Sequence, residues 1–366
     1  MRPFATCRSK TDKTTAAISS SLADMSTMSA PARPAASRAM HGIGCVILGM
    51  LFFAGQDAMM KSLLLDYPIW LLLFIRSCVA VAVLVPLILL LGAPHRLRSP
   101  LWPMHLLRAA LFAVGFSLFY TAFPFMGLAQ VTTIFFSAPL MIGVMAAVFL
   151  KERLGAHRIA ALIVGFVGVV IAIDPGGERF SGIALLPLLC ALFYAASQVL
   201  ARKIGETETS LTVGLFTLAF TGPIALAAGF AVNALVPIGP DFPHLGWHVP
   251  PALTADWPAL LLLGGVGMVG YILLSRGYQV ADASVIAPFD YSYLPMAALI
   301  GWLLWGEVPQ HSTLVGMVLI VGSGLYMAGR ELRAARRHGE PVVMAETVIA
   351  PLSPHPQKIP DDQTWP

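Results

Sequence analysis

The chain has 366 residues, of which 57% are hydrophobic and only 11% charged, with a formal net charge of +4 and a mean hydropathy of +0.77. A soluble domain carries about 25% charged residues, so this composition excludes a soluble enzyme and defines an integral membrane protein in contact with a lipid bilayer. Cys7, Cys45, Cys78 and Cys190 show no CxxC spacing and no nearby histidine cluster, which argues for neither a metal site nor a disulfide framework and leaves buried thiols as the plain reading.

Residues 1–40 are rich in Ser, Thr and Ala and contain no apolar run long enough for a signal-peptide core. They are expected to form a disordered cytoplasmic leader, or to precede the true start, since Met40 stands directly before the first apolar run. A span needs about 20 apolar residues, because the hydrocarbon core is about 30 Å thick and a helix rises about 1.5 Å per residue. That length predicts five spans at His41 to Leu65, Pro68 to Leu91, Trp102 to Ala122, Phe125 to Leu150 and His157 to Ile173. Five more follow at Phe180 to Leu200, Leu211 to Val232, Trp257 to Gly277, Ala283 to Trp305 and Ser312 to Ala328. The connections are short except for the Pro-rich stretch Asn233 to Asp256, which reads as an external loop along the surface. The domain expectation is a first repeat over 41–175, a second over 180–330, and a disordered cytoplasmic tail over 331–366.

The chain reads twice. FFAGQDAMMK (Phe52 to Lys61) returns as FYAASQVLAR (Phe193 to Arg202), and AQVTTIFFSAPL (Ala129 to Leu140) is answered by ADASVIAPFDYS (Ala281 to Ser292). Five spans per half is an odd number, so the second half enters the membrane from the opposite side and the repeats are inverted. Lysine and arginine agree. With the N-terminus inside, the inner loops hold Arg96, Arg98, Lys151, Arg153, Arg158, Arg202, Lys203 and Arg276, while the outer side offers only Lys61 and Arg179. A multi-pass protein of the cell inner (plasma) membrane with both termini cytoplasmic is expected. Cations divided among loops and tails give no support to a nucleic-acid partner.

The ten-span pattern resembles the drug/metabolite transporter superfamily, specifically its EamA-like branch, over about Gly42 to Glu331. The residues that carry the resemblance are SAPLMIGVMAAVFLKERLGAHRIAALIVGFVGVVI and YSYLPMAALIGWLLWGEVPQHSTLVGMVLIVGSGLYM, each an apolar helix ending in an acidic turn followed by a glycine-bearing helix. The phrase APFDYSYLPMAALIGWLLWGE (Ala287 to Glu307) is similar to the subgroup labelled as metabolite or S-adenosylmethionine-type uptake carriers. The resemblance implies an all-α integral membrane protein, ten transmembrane helices in two inverted five-helix EamA-type repeats, that transports small molecules. It leaves the cargo open among amino acids, nucleotides, vitamins and drugs, and it includes importers and exporters.

Charges that the bilayer makes expensive mark the chemistry, since an ionised side chain at the bilayer centre costs at least about 2.5–3.5 kcal/mol. Asp57, Arg76 and Asp290 fall within roughly 5 to 8 Å of the midplane by helical rise. Asp57 and Lys61 are four residues apart and share a helix face. Either Lys61 snorkels outward with Asp57 merely neutralising it, or the pair serves the cargo. Arg76 has no acid in its own span and needs a partner from another helix: either it makes a fixed bridge to Asp57 or Asp290, or its fork, which suits a carboxylate or phosphate, serves the pathway. Asp290 lies between Pro288 and Pro295, in a helix that the prolines break, flanked by Tyr291 and Tyr293. It is a candidate cargo or proton site, or else a satisfied acid at a packing hinge. In span six, Tyr194 and Gln198 share a stripe with Arg202, and Gln198 stands where Asp57 stands in the first copy. Gln130, Thr132 and Thr133 read as loop-end polarity. Glu152 and Glu307 occupy matching span ends: Glu152, between Lys151 and Arg153, reads as an interfacial pair, and Glu307 as a turn residue with a gating role left open.

No Walker loop, nucleophile elbow or metal-ligand spacing supports catalysis or a cofactor. The expected function is a secondary carrier of a small zwitterionic or heteroaromatic metabolite, proton-coupled through Asp290 or Asp57. It would alternate access by rocking one five-span bundle against the other, with cargo held between Asp57 and Arg76 of one half and Gln198 and Asp290 of the other, and with Tyr194, Tyr291 and Tyr293 lining the cavity by their rings and hydroxyls. The alternative is a non-transporting polytopic membrane enzyme or scaffold. A channel is disfavoured, with no ring of like charges in view. Monomer and homodimer both remain open, because glycine patches such as Gly165 with Gly168, Gly264 to Gly270, and Gly322 with Gly324 permit close helix packing.

Overall fold

The computed structural model describes residues 35–338 except 93, 94, 96, 150–154, 178–180, 206, 241 and 282. The chain divides after Arg38 into two compact units, and the second, Ala39–Pro366, holds everything below. Glu152, Lys151, Arg153, Arg179 and Arg96 lie outside the described residues, as do residues 1–34 of the leader and 339–366 of the tail.

The first half comprises α1 (Ala39–Leu63), α2 (Ile69–Leu91), α3 (Trp102–Thr121), α4 (Leu128–Phe135), α5 (Ala138–Phe149) and α6 (Ala156–Ile173). The second comprises α7 (Leu185–Gly205), α8 (Ser210–Leu235), α9 (Trp257–Val280), α10 (Ala283–Ile286), α11 (Tyr293–Trp305) and α12 (His311–His338). Among the described residues nine stretches are long and apolar enough to cross a membrane, with α4 and α5 forming one of them. The tenth span is α10 and α11, which a 3-10 segment at Ala287–Ser292 interrupts. The ten-span reading therefore holds. The start of the tail differs from expectation: α12 continues through ELRAARRH to His338.

Spans four and nine are broken at corresponding points of the two repeats. In span nine the cause is Pro288, which cannot donate to the preceding turn, while Pro295 sits in the first turn of α11, where a backbone donor would be unpaired anyway. Span four has its own proline, Pro139 in the first turn of α5, which has no N–H to continue the ladder from the turn before it. Phe136 N–H still reaches Thr132 O at 2.9 Å, whereas Ser137 N–H tightens onto Ile134 O at 3.1 Å. Gly306 ends α11 with a φ of +67°, a conformation that glycine takes without steric cost, and lets Glu307 N–H turn back to Gly301 O at 3.2 Å.

The long connection after α8 folds over the expected external ends of the helices. Trp70 donates to Leu245 O at 2.9 Å, Tyr67 to Asp256 at 2.9 Å, and Phe125 packs on Phe242 at 5.1 Å. Burial, with Asp256 as acceptor and neighbouring charge, pushes the Tyr67 hydroxyl up to about 12. Burial likewise holds the His244 imidazole below the usual histidine range.

The dominant packing runs between the halves. α2 lies on α8 and α9, α3 on α7 and α8, α5 on α7, α4 on α11, and α6 on α12. Two separate five-span bundles that rock against each other are therefore not present; the repeats interleave. Small residues make the approach possible. A Cβ on Gly168 would meet Leu319 at 2.8 Å and Gly316 O at 3.0 Å, and one on Gly316 would meet Ala172 Cβ at 2.6 Å. Gly264 is filled by Val79 and Gly270 faces Gly49 O, but Gly322 has open space where packing was expected. Cys78 also departs from expectation, since it is exposed on the helix surface while Cys45 and Cys190 are buried. Gly316→Val should overpack the α6–α12 contact and cost about 1–3 kcal/mol, read as a lower melting temperature of the purified protein in detergent. Gly322→Ala, inside a helix and with open space around it, should instead raise the melt slightly, by about 0.5–1 kcal/mol of stability.

Candidate functional site

Three of the predicted residues converge. Asp57 on α1 accepts from Tyr293 OH at 2.5 Å through one oxygen and from Tyr120 OH at 3.0 Å through the other. Arg76 on α2 donates to Tyr120 OH at 2.7 Å, and its guanidinium lies 5.9 Å from the Phe116 ring centroid. The partner that Arg76 required from another helix is thus a tyrosine, which stands between the two charges. These groups line a cavity of about 50 Å³ walled by Phe53, Phe116, Phe119 and Phe135. Tyr293 reaches it because the break in span nine starts α11 at that residue, and Phe136, at the break in span four, stacks on the Tyr293 ring at 5.7 Å.

Asp57 does not pair with Lys61. Lys61 instead forms an ion pair with Glu307, donates to Met126 O at 2.9 Å and lies 5.1 Å from the Trp305 ring centroid. Glu307 also accepts from Leu128 N at 2.8 Å. One carboxylate therefore ties the ends of α1, α4 and α11 about one helical turn from Asp57. A helix neighbour four residues away lost to a partner 246 residues away, because α11 delivers Glu307 directly to the Lys61 end of α1.

Gln198, Tyr194 and Asp290 are not among the residues that line the Asp57 cavity. Gln198 donates to Tyr194 OH at 2.8 Å and accepts from Arg108 at 3.0 Å. Tyr194 meets Phe135 edge-on at 5.4 Å, behind the cavity wall. Asp290 is 2% exposed; it accepts from Tyr278 OH at 3.0 Å through one oxygen, and its other oxygen has no hydrogen-bond partner. Tyr291 packs on Phe136 at 5.6 Å, and its ring fills the place of a side chain at Gly324. Thr132 and Thr133, read as loop-end polarity, are fully buried and donate back to the carbonyls of Leu128 and Ala129.

Sequence reasoning missed four buried groups. Arg108 is fully buried, donating to Thr217 Oγ1, to Gln198 and to Ser197 O at 3.2 Å. The rule that selected Arg76, a cation deep in a span, would have found it. His105 bonds Glu208 at 2.8 Å, with Ser99 on the other carboxylate oxygen. Gln56 lines the cavity and donates to Leu263 O at 3.2 Å, packed where Gly267 has no side chain. Tyr271 also lines the cavity, and its hydroxyl has no hydrogen-bond partner. Among the described residues no group of three His, Cys, Asp or Glu is placed to hold a metal ion.

An inverted repeat of ten spans, with broken helices and an acid–tyrosine–arginine relay in its interior, is the architecture of a secondary transporter. The chain belongs to the EamA-like transporter family, which it matches over residues 40–173 and 180–328. It is accordingly a membrane transporter of small metabolites within the drug/metabolite transporter superfamily. It is 28% identical to the riboflavin transporter of Vibrio cholerae over 72% of this chain and 84% of that one. It is 27% identical to the S-adenosylmethionine uptake transporter of Rickettsia bellii, over 80% and 95% respectively. The pseudopaline exporter CntI of Pseudomonas aeruginosa is 26% identical over 76% of this chain and 93% of its own. A solved crystal structure at 21% identity superposes with a TM-score of 0.51 over 84% of this chain and 100% of its own, a likeness of fold.

Tyr120→Phe removes the one oxygen that joins Arg76 to Asp57. It should cost about 1–3 kcal/mol by leaving both charges short of a buried partner, read from thermal unfolding. Tyr293→Phe should cost less, since Asp57 then keeps Tyr120.

Proposed function

We propose that the protein is a secondary carrier of the cell inner membrane, with both termini cytoplasmic, that moves a flat heteroaromatic metabolite by alternating access. The observation that supports this reading best is the Asp57–Tyr120–Arg76 relay facing a wall of phenylalanines. Aromatic faces suit a planar ring, while the acid and the guanidinium suit the polar or zwitterionic groups attached to it. Riboflavin and S-adenosylmethionine, named for two relatives, each combine a fused heteroaromatic ring with a polar chain.

A cavity of about 50 Å³ is far below the roughly 300 Å³ that small-molecule sites occupy. The conformation is therefore a contracted one, and cargo enters only after the helices part. The Lys61–Glu307 tie closes the external side in this state. Because the two halves interleave, the moving bodies are cross-half pairs such as α6 with α12, not whole repeats. Asp57 holds cargo, and Asp290, with one unpartnered oxygen inside a broken helix, takes up and releases the coupling proton. The chain works without a cofactor and without nucleic acid, and one copy contains both repeats of the path.

Uptake of riboflavin and of S-adenosylmethionine into proteoliposomes, with and without an inward proton gradient, tests the proposal. The native chain should accumulate one of them against its gradient. Asp290→Asn should abolish accumulation yet keep exchange of cargo between the two sides, whereas Asp57→Asn should weaken both by at least about tenfold. Accumulation unchanged in both variants would refute the assignment.

A further inference from the structure

We infer that a second cavity, beside Glu307, is a docking site for a small cationic group, which competes with Lys61 for that carboxylate. This cavity, of about 310 Å³, lies between the start of α4, the end of α11 and the start of α12. Glu307 is the charged residue among the described residues that line it, and Gln130, Gln310 and Thr313 contribute polar groups. Thr313 is fully buried and its Oγ1 has no hydrogen-bond partner, a state that costs free energy unless something in the cavity satisfies it.

The two members of the ion pair differ in access. The Lys61 side chain is 10% exposed and that of Glu307 26%, so the carboxylate opens to the cavity while the lysine lies behind it. Glycines give the carboxylate its room: a Cβ at Gly301 would sit 3.1 Å from Glu307 Oε2 and one at Gly127 3.4 Å. An ammonium or sulfonium arriving in the cavity meets a negative oxygen, two side-chain amides and an unused hydroxyl. The volume lies at the low end of small-molecule pockets, about 300–1,000 Å³, and has room for a small ammonium or sulfonium group.

Occupation changes the tie. A cation that draws Glu307 toward the cavity removes one acceptor of Lys61 Nζ, which keeps Met126 O, together with that of Leu128 N–H, which loosens the end of α11 from those of α1 and α4. A ligand shifts such an equilibrium only by binding one state better than the other, and here the better state is the one in which Lys61 has let go. By reciprocity, weakening the Lys61 bond must strengthen the ligand. The inference uses the carrier reading for one point alone, that this end is external.

The test titrates ethylammonium chloride into the purified full chain, against sodium chloride at equal ionic strength, by calorimetry. Lys61→Met should tighten ethylammonium binding by about tenfold, Glu307→Gln should abolish it, and Thr313→Val should weaken it severalfold with the ion pair intact. Binding retained in Glu307→Gln, or equal in Lys61→Met and the native chain, overturns the inference. Should Lys61→Met not fold, spin labels at Ser62→Cys and Leu304→Cys, both exposed at the ends of α1 and α11 and outside the cavity lining, give the readout with the native cysteines replaced. Ethylammonium should lengthen that distance, less so with Thr313→Val, and an unchanged distance overturns the inference. Neither readout involves transport, so a chain that moves no riboflavin leaves this result standing, and a cavity that binds no cation leaves the carrier reading standing.

Discussion

Hydrocarbon offers no hydrogen bonds, so every backbone amide and every charge placed in it must find a partner inside the protein, at a cost of several kcal/mol otherwise. The arrangement around Asp57 follows from that constraint. Both carboxylate oxygens are occupied by tyrosine hydroxyls, and the guanidinium that balances them is reached through one of those hydroxyls. The same constraint governs the two helix breaks. Thr132 and Thr133 cap carbonyls just ahead of the break in span four, and a 3-10 segment carries the chain through the break in span nine. Irregular backbone at membrane depth is tolerated where protein surrounds it, and these breaks place Phe136 against Tyr293.

Interleaving of the repeats has a mechanical consequence. Each long helix finds its closest neighbour in the other half, and the tightest of these contacts rest on glycine: Gly168 against Gly316 O, Gly49 against Gly270 O, Gly42 against Gly277 O. Backbone-to-backbone contacts of this kind present smooth surfaces that slide with little side-chain interlocking. The short elements at the helix breaks are α4, α10 and α11. Those elements and the 3-10 segment between α10 and α11 carry Tyr293, Asp290 and the Glu307 tie, so the cavity and the tie share the same segments.

The fold was legible in the sequence because hydropathy and charge bias report the bilayer directly: the ten spans, the repeat and the broken span nine all came from runs and prolines. The site was legible in part. Asp57 and Arg76 follow from the rule that a charge deep in a span needs a reason, and Tyr293 from its place beside Asp290, the third charge that the rule selects. What the rule lacks is a sense of which side of a helix faces which neighbour. Gln198 takes the place of Asp57 in the repeat, yet it serves Arg108 behind the aromatic wall. Lys61 was assigned to Asp57 by helical spacing, and the structure gave it to Glu307, a pairing that no local pattern contains. Arg108 and His105 share α3, whose mean hydropathy of 1.3 is the lowest of the nine candidate spans; that dip is the sequence signal that marks them.

An indirect bridge has properties that a direct one lacks. Had Arg76 met Asp57 head-on, the pair would satisfy itself, and a cargo would have to break a desolvated ion pair, whose loss of one partner costs about 3–5 kcal/mol. With the Tyr120 hydroxyl between them, each charge makes a neutral contact that a better ligand replaces at small net loss. A zwitterion offers both replacements at once: its cationic group to Asp57, its anionic group to Arg76. The hydroxyl that joins the charges in the contracted state can then rotate away without leaving either charge bare. The relay therefore keeps both charges of the cavity partnered while leaving each contact replaceable by a ligand.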